Sequence, residues 1–187
     1  VSGALVRESD GQPIPNAEVE IIETFLLGSK KRGRATLVTT DGEGRFSARL
    51  GRGPSRQVTA IFDGDRRYLG ASSSKVKLSV KSKISLKAPP RVSAEAGITF
   101  AGRIKAKGAR LARKGKRLEV QVRTSSGWKA VKHSIRTNRK GKFSLAYKFT
   151  ARYTDPVKYQ FRAVVLKERG FPYLPSKSKK RSVTVTP

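Results

Sequence analysis

Apolar and polar residues alternate along most of this chain, and no stretch carries the three-to-four-residue spacing of a helix. Phe46, Ala48 and Leu50 alternate with Arg45, Ser47 and Arg49. The same period runs through Val58, Ala60 and Phe62, and through Phe143, Leu145, Tyr147 and Phe149. Period two puts every second side chain on one face of an extended segment, so each run is a strand with one buried face. Between the runs stand clusters of Gly, Pro, Asn and Asp, the residues that turns require. The pattern predicts strands over 1–6, 17–24, 35–40, 45–50, 57–62 and 75–80. It predicts a second series over 84–86, 98–105, 117–124, 128–136, 142–149, 157–165 and 180–186. Short strands at this turn-punctuated spacing make an all-β chain of antiparallel sandwich type.

The pattern is written twice. Thr40-Asp41-Gly42-Glu43-Gly44-Arg45-Phe46-Ser47 returns 97 residues later as Thr137-Asn138-Arg139-Lys140-Gly141-Lys142-Phe143-Ser144. Gly3, Val19 and Ile21 match Gly102, Leu118 and Val120 at an offset of 99. Val58, Ala60 and Phe62 match Phe161, Ala163 and Val165 at 103, and Leu78 and Val80 match Val183 and Val185 at 105. The offset changes only between runs, so insertions fall in loops while strands keep their length, as in a duplicated β unit. Two tandem β-sandwich domains of about seven strands each are expected, over residues 1–82 and 83–187, with Phe46 and Phe143 at equivalent core positions. Val76, Leu78 and Val80 share their phase with Ile84 and Leu86, and no Gly or Pro intervenes before Pro89. A short, stiff joint is therefore expected. The 84–86 run has no counterpart in the first half; that counterpart is expected to precede Val1.

Composition narrows the function classes. A hydrophobic fraction of 36% over 187 residues supplies two thin cores and no large buried pocket. No run of about 18 apolar residues exists, so no transmembrane helix is encoded. The start Val1-Ser2-Gly3 has no basic and apolar leader, so the chain reads as a mature or excised fragment. Cysteine is absent, which removes disulfides, thiolate metal sites and thiol catalysis.

Charge changes the picture most. The chain holds 42 Lys plus Arg against 13 Asp plus Glu, a net charge of +29. It is unevenly placed, with 16 basic and 9 acidic residues in 1–88 and 26 and 4 beyond. Lys105, Lys107, Arg110, Arg113, Lys114, Lys116 and Arg117 fall in one loop-centred stretch, and Arg136, Arg139, Lys140 and Lys142 at a second turn. If both loops lie at one end of the sandwich they form a basic tip for polyanions. The competing reading is a solvated surface. Trp128, after the turn Ser125-Ser126-Gly127, is a candidate stacking platform, with packing against a core edge as its alternative. His133 is the single histidine and is expected on a partly buried strand face; no second His and no Cys can join it on a metal. Asp41-Gly42-Glu43 and Asp63-Gly64-Asp65 read as turn chemistry. No catalytic residue, cofactor site or metal site is expected.

Several stretches resemble known families. Ser2-Gly3-Ala4-Leu5-Val6, the run from Asp10-Gly11-Gln12-Pro13 through Ala17, Val19 and Ile21, and Thr40-Asp41-Gly42-Glu43-Gly44-Arg45-Phe46 resemble the carboxypeptidase regulatory-like domain. Ala60-Ile61-Phe62, Gly64-Asp65 and Tyr68, leading into Val76, Leu78 and Val80, are similar to bacterial Ig-like repeats of surface proteins. Together they cover nearly all of the first half and, more weakly, the second. The resemblance implies an Ig-like or prealbumin-like sandwich in a secreted or wall-attached bacterial protein, without catalysis. The second half departs from the pattern, with Asn138 in place of Asp41 and Leu111-Ala112-Arg113-Lys114-Gly115 in place of the Pro-Ile-Pro loop. The reading at this level is a non-enzymatic structural or adhesive tandem module, extracellular or cell-wall associated. Its partners would be anionic polymers or other surface proteins. The alternative is a polyanion-binding module, for a wall polymer, polysaccharide or nucleic acid, acting through the basic second half.

Overall fold

The duplicated turn is where the two halves of the chain are most alike. In the computed structural model, which describes residues 1–187, Asp41 Oδ1 accepts the N–H groups of Glu43 (3.0 Å) and Arg45 (2.8 Å). Asn138 Oδ1 accepts those of Lys140 (2.9 Å) and Lys142 (3.0 Å) in the same way. The turn uses one side-chain oxygen, which Asp and Asn both carry, so the replacement leaves its geometry unchanged. Gly44 and Gly141 follow at φ 69° and 76°. A Cβ on either would stand 2.5 or 2.6 Å from the carbonyl oxygen of Leu5 or Ile104. That close approach lets Leu5 and Ile104 each donate a 2.9 Å backbone hydrogen bond to the glycine's carbonyl. Before the turn, Thr40 and Thr137 are buried, and their hydroxyls accept the N–H groups of Ala17 (2.9 Å) and Lys116 (3.0 Å).

The chain is all-β and has no helix. The first half holds β1 (Ser2–Ala4), β2 (Glu18–Phe25), β3 (Gly33–Thr39), β4 (Arg45–Ser47), β5 (Arg56–Gly64), β6 (Leu69–Ser72) and β7 (Val76–Leu78). β1 and β4 form one sheet; β3-β2-β5-β6, with β7 also on β5, form the other. The second half holds β8 (Lys83–Lys87), β9 (Arg91–Ser93), β10 (Ile98–Lys105), β11 (Arg117–Thr124) and β12 (Gly127–Arg136). It continues with β13 (Lys142–Tyr147), β14 (Val157–Val165), β15 (Ser176–Lys177) and β16 (Arg181–Thr186). Its sheets are β13-β10-β8 and β12-β11-β14-β16-β9, with β15 on β14. The sequence offsets reappear as pairing register. Gly3 faces Phe46 as Gly102 faces Phe143, and Ile21 faces Ala60 as Val120 faces Ala163. Arg56 faces Leu78 as Tyr159 faces Val183, and Ile61 faces Ser72 as Val164 faces Lys177.

Three expectations need correction. The pairing is not wholly antiparallel: β9 runs parallel to β16, because Pro89-Pro90 end β8 and the Pro90 carbonyl, accepting Thr184 N–H at 2.8 Å, starts the chain along the other sheet. His133 is exposed, not partly buried. Four residues of β12, Lys132 to Ile135, lie opposite three of β11, Leu118 to Val120, and Ser134 takes φ 55°. This bulge turns His133 outward while Ile135 stays in the core. The two cores are also unequal. Thirteen buried residues form one cluster in the second half, against clusters of four (Val19, Ile21, Ala48, Val58) and three (Ile14, Ala17, Phe62) in the first. At matched positions Val58 stands for Phe161 and Ala48 for Leu145, and Leu86 of β8, fully buried, has no first-half equivalent. Phe46 is accordingly half-buried where Phe143 is buried.

Each of these rings lies over a glycine of the neighbouring strand: a Cβ on Gly3 or Gly102 would stand 2.5 Å from the ring's Cζ. Phe143→Ala is expected to cost about 3–5 kcal/mol in denaturant unfolding. Phe46→Ala should cost roughly 1–2 kcal/mol, since less of its area leaves water. Equal losses at the two positions would contradict the unequal cores.

Candidate functional site

The two halves meet through backbone as well as side chains. The β2–β3 loop of the first half reaches the loop that follows β10: Arg110 N–H donates to Gly28 O at 2.7 Å, and Lys30 N–H donates to Gly108 O at 2.6 Å. Ser29 and Ala109 form an antiparallel bridge between these bonds. At a second point Ser55 N–H donates to Pro172 O at 2.8 Å. Gly28 takes φ 90°, and a Cβ there would lie 1.7 Å from Gly170 O, so no other residue fits. The connecting residues 79–82 are held too. Leu174 N–H donates to Val80 O at 2.9 Å, and the Ser82 and Ser176 hydroxyls are 2.8 Å apart.

A buried ion pair shapes the first-half side of this joint. Arg56 and Glu23 are both almost fully buried, and the Arg56 guanidinium faces the Glu23 carboxylate. Arg56 also donates to Pro54 O (2.9 Å) and Gly51 O (2.8 Å), which fixes the loop that presents Ser55. Glu23 occupies the register position that Val122 holds in the second half. Glu23 continues the inward phase of Val19 and Ile21 along β2, and only its charge speaks against burial.

Beside the joint lies an open groove of about 710 Å³. Lys105, Lys107, Arg110, Arg139 and Lys140 line it, so the loop after β10 and the duplicated turn do lie together. Two further cations line it that the sequence reading does not include: Arg103 of β10 and Lys30 of the first half. No acidic residue lines this groove. Arg103 is legible in the sequence as an outward position of β10; Lys30 is not, because its place depends on how the halves dock.

The other basic candidates lie elsewhere. Arg113 and Lys114 are exposed but outside the groove, and Lys142 is exposed beside Arg103 on the paired strand. Lys116 is a correction: it is buried, its Nζ donates to Glu168 Oε2 at 2.9 Å, and it packs 4.7 Å from the Phe171 ring. Arg117 N–H and Arg136 Nη1 converge on the same carboxylate at 3.2 Å each. Trp128 carries the Arg162 guanidinium 4.0 Å from its ring centroid, with Arg123 at 5.9 Å, and takes no part in the groove. The acidic turns are engaged locally. The backbone N–H of Arg45, followed by its side chain and Glu43 N–H, holds the Asp41 carboxyl below its usual range, and Asp65 Oδ1 accepts Arg67 and Tyr68 N–H at 2.7 and 2.8 Å. No helix is long and apolar enough to cross a membrane.

No family model matches this chain, and no curated protein does. Among solved structures the chain is similar to one described as the tetra-tandem repeat in the extending region of a large adhesion protein. The identity is 16%, the TM-score is 0.39, and the match covers 91% of this chain and 42% of that one. The chain thus spans less than half of that structure's length.

Glu168 gives a pH prediction. Burial acts to raise its pKa, but the Lys116 hydrogen bond, the Arg117 N–H and the Lys116 charge outweigh it and hold the carboxyl below its ordinary value. Burial depresses the Lys116 ammonium in turn. A carboxylate depressed on folding contributes stability that is complete above its unfolded pKa and is lost as pH falls through the lower folded value. Stability should therefore drop as pH falls below the ordinary glutamate pKa of 4.5. Glu168→Gln should cost about 1–3 kcal/mol at neutral pH, because Lys116 stays buried without its anion, and should flatten the acid limb. Urea unfolding at a series of pH values checks both.

Proposed function

We propose that this chain is a non-enzymatic structural module: two tandem Ig-like sandwiches, divided after residue 82, that act as a stiff spacer in an adhesive protein of the bacterial cell surface. The observation that carries this reading is the joint. Domains joined by a free linker reorient by default. Here main-chain hydrogen bonds run from Gly28, Lys30 and Ser55 to Gly108, Arg110 and Pro172, and residues 79–82 are themselves held. Backbone bonds of this kind fix direction as well as distance, which is what a spacer that projects a partner from a surface needs. The likeness of the Thr-Asx-x-x-Gly-x-Phe turn to modules of secreted proteins supports the surface assignment. The non-enzymatic assignment rests on the carboxylates, since Asp41, Asp65, Glu23 and Glu168 are all committed to turns or ion pairs.

The absence of cysteine allows a direct test. Spin labels at Thr36→Cys and Lys129→Cys, both exposed, report the distance between the halves. A single narrow distribution is expected. Gly28→Val, which drives a side chain into Gly170 O, should broaden it and separate the melting of the two halves. A broad distribution in the unmodified protein would overturn the stiff-spacer reading.

A further inference from the structure

We propose that the basic groove beside the joint is a binding site, built by both halves, for one extended chain of a phosphodiester polymer whose phosphates are separated by sugar or polyol carbons. This goes beyond a spacer role. Seven cationic side chains converge there, and none has a carboxylate within 4.0 Å, although ion pairs form elsewhere in the same chain. Like charges gathered without counter-charges raise the local potential and favour a polyanion.

Shape and lining select among polyanions. A groove of about 710 Å³ admits one extended chain and is too small for a duplex. The protein has no helix to enter a major groove, and no aromatic side chain lines the site, so bases would gain neither edge readout nor stacking. Arg103 and Lys105 lie on the same face of β10, about 7 Å apart along the strand, close to the repeat of successive phosphates in an extended diester chain. Between the cations the wall is aliphatic, from Ala106, Ala109 and Leu111. Carbon segments between phosphates would cover that surface; a bare polyphosphate would leave it wet. Guanidinium forks at Arg110 and Arg139 suit phosphate oxygens.

Lys30 makes the site depend on both halves. Its N–H is bonded to Gly108 O, and its carbonyl oxygen lies 3.5 Å from Arg110 Nη2, so its ammonium enters the groove only with the joint closed.

The test uses the full chain and a fluorescent abasic sugar-phosphate oligomer of about ten units, with single-stranded DNA of equal length, duplex DNA and heparin as comparisons. The abasic oligomer and the single strand should bind equally well, and better than the duplex or heparin. Lys105→Ser, Arg110→Ser and Arg139→Ser together should weaken binding about tenfold or more near 150 mM salt. They should also make the log–log salt slope shallower by about 2, at roughly 0.7 for each phosphate no longer neutralised. Lys30→Ser alone should weaken binding about threefold. A control triple of exposed lysines outside the groove, Lys129→Ser, Lys158→Ser and Lys180→Ser, removes the same charge and should have less effect than Lys30→Ser. All these side chains are exposed, so melting temperatures should hold. Equal effects of both triples would reduce the result to net charge and overturn the site. A single strand much tighter than the abasic oligomer would make the ligand a nucleic acid, and heparin tighter than both would make it a sulfated polysaccharide; either result overturns the phosphodiester assignment. No effect of Lys30→Ser would overturn a site shared between the halves.

Discussion

Each sandwich hangs on one crossing, where the chain leaves one sheet and enters the other within the turn at residues 40–44 or 137–141. β3 belongs to the larger sheet of the first half and β4 to the smaller one, so this turn sets how the two layers face each other. Three bonds hold it. The buried Thr hydroxyl takes an N–H from the segment leading into β2 or β11, the Asx oxygen closes the turn, and the left-handed Gly carbonyl accepts from Leu5 or Ile104. Thr40 Oγ1 also donates to Ile14 O at 2.8 Å, so one hydroxyl serves as donor and acceptor inside the core edge. Water cannot substitute there, and a buried backbone group left unpaired costs more than an average hydrogen bond gains. Thr and Gly are accordingly shared by both copies of the turn, while neighbouring positions drift.

That chemistry explains which parts of the fold are legible in the sequence. The register of β1 against β4 and of β10 against β13 follows from Gly3/Phe46 and Gly102/Phe143, because a large ring can lie across a strand only where the facing residue lacks a Cβ. β10, β11 and β14 are long and strictly alternating, and their bounds agree with the sequence pattern. The elements that escape the pattern share a cause. β6, β9 and β15 are only two to four residues long, so alternation has nothing to register. The bulge at Ser134 adds one residue and reverses the facing of His133, which a period-two rule places inward.

The candidate site is half legible for a similar reason. Lys105 ends β10, and Lys107, Arg110, Arg139 and Lys140 sit in two loops that the duplicated turn brings together, so the repeat makes that proximity readable. Lys116 escapes such a reading because burial of a lysine depends on a carboxylate 52 residues away. Lys30 escapes it because only docking of the halves brings it across. The pairing of Glu23 with Arg56 is hidden because the two stand on different strands, β2 and β5. Both continue the inward phase of their strands, Glu23 after Val19 and Ile21 and Arg56 before Val58, but alternation says nothing of their pairing; removing either partner would leave the other charge buried and uncompensated, at a cost of about 3–5 kcal/mol.

Joint and groove then oppose and support each other in a definite way. Bringing Lys30 against Arg110 and Lys107 gathers like charges, which at exposed positions costs about 1 kcal/mol per close pair in water and fades beyond a Debye length of about 8 Å in physiological salt. The main-chain bonds at Gly28, Lys30 and Ser55 each contribute a net ~0.5–1.5 kcal/mol, and they are not screened. Closure therefore wins at physiological salt, and by less as salt is lowered. On the proposed binding, a polyanion would reverse the sign of the electrostatic contribution: the charges that resist closure would be the ones that hold its phosphates. By linkage, a ligand that touches both Lys30 and the second half must stiffen the joint by as much free energy as joint closure adds to its own binding. The proposed stiffness and the proposed polymer binding would thus be two properties of the same interface, joined through the backbone of one loop.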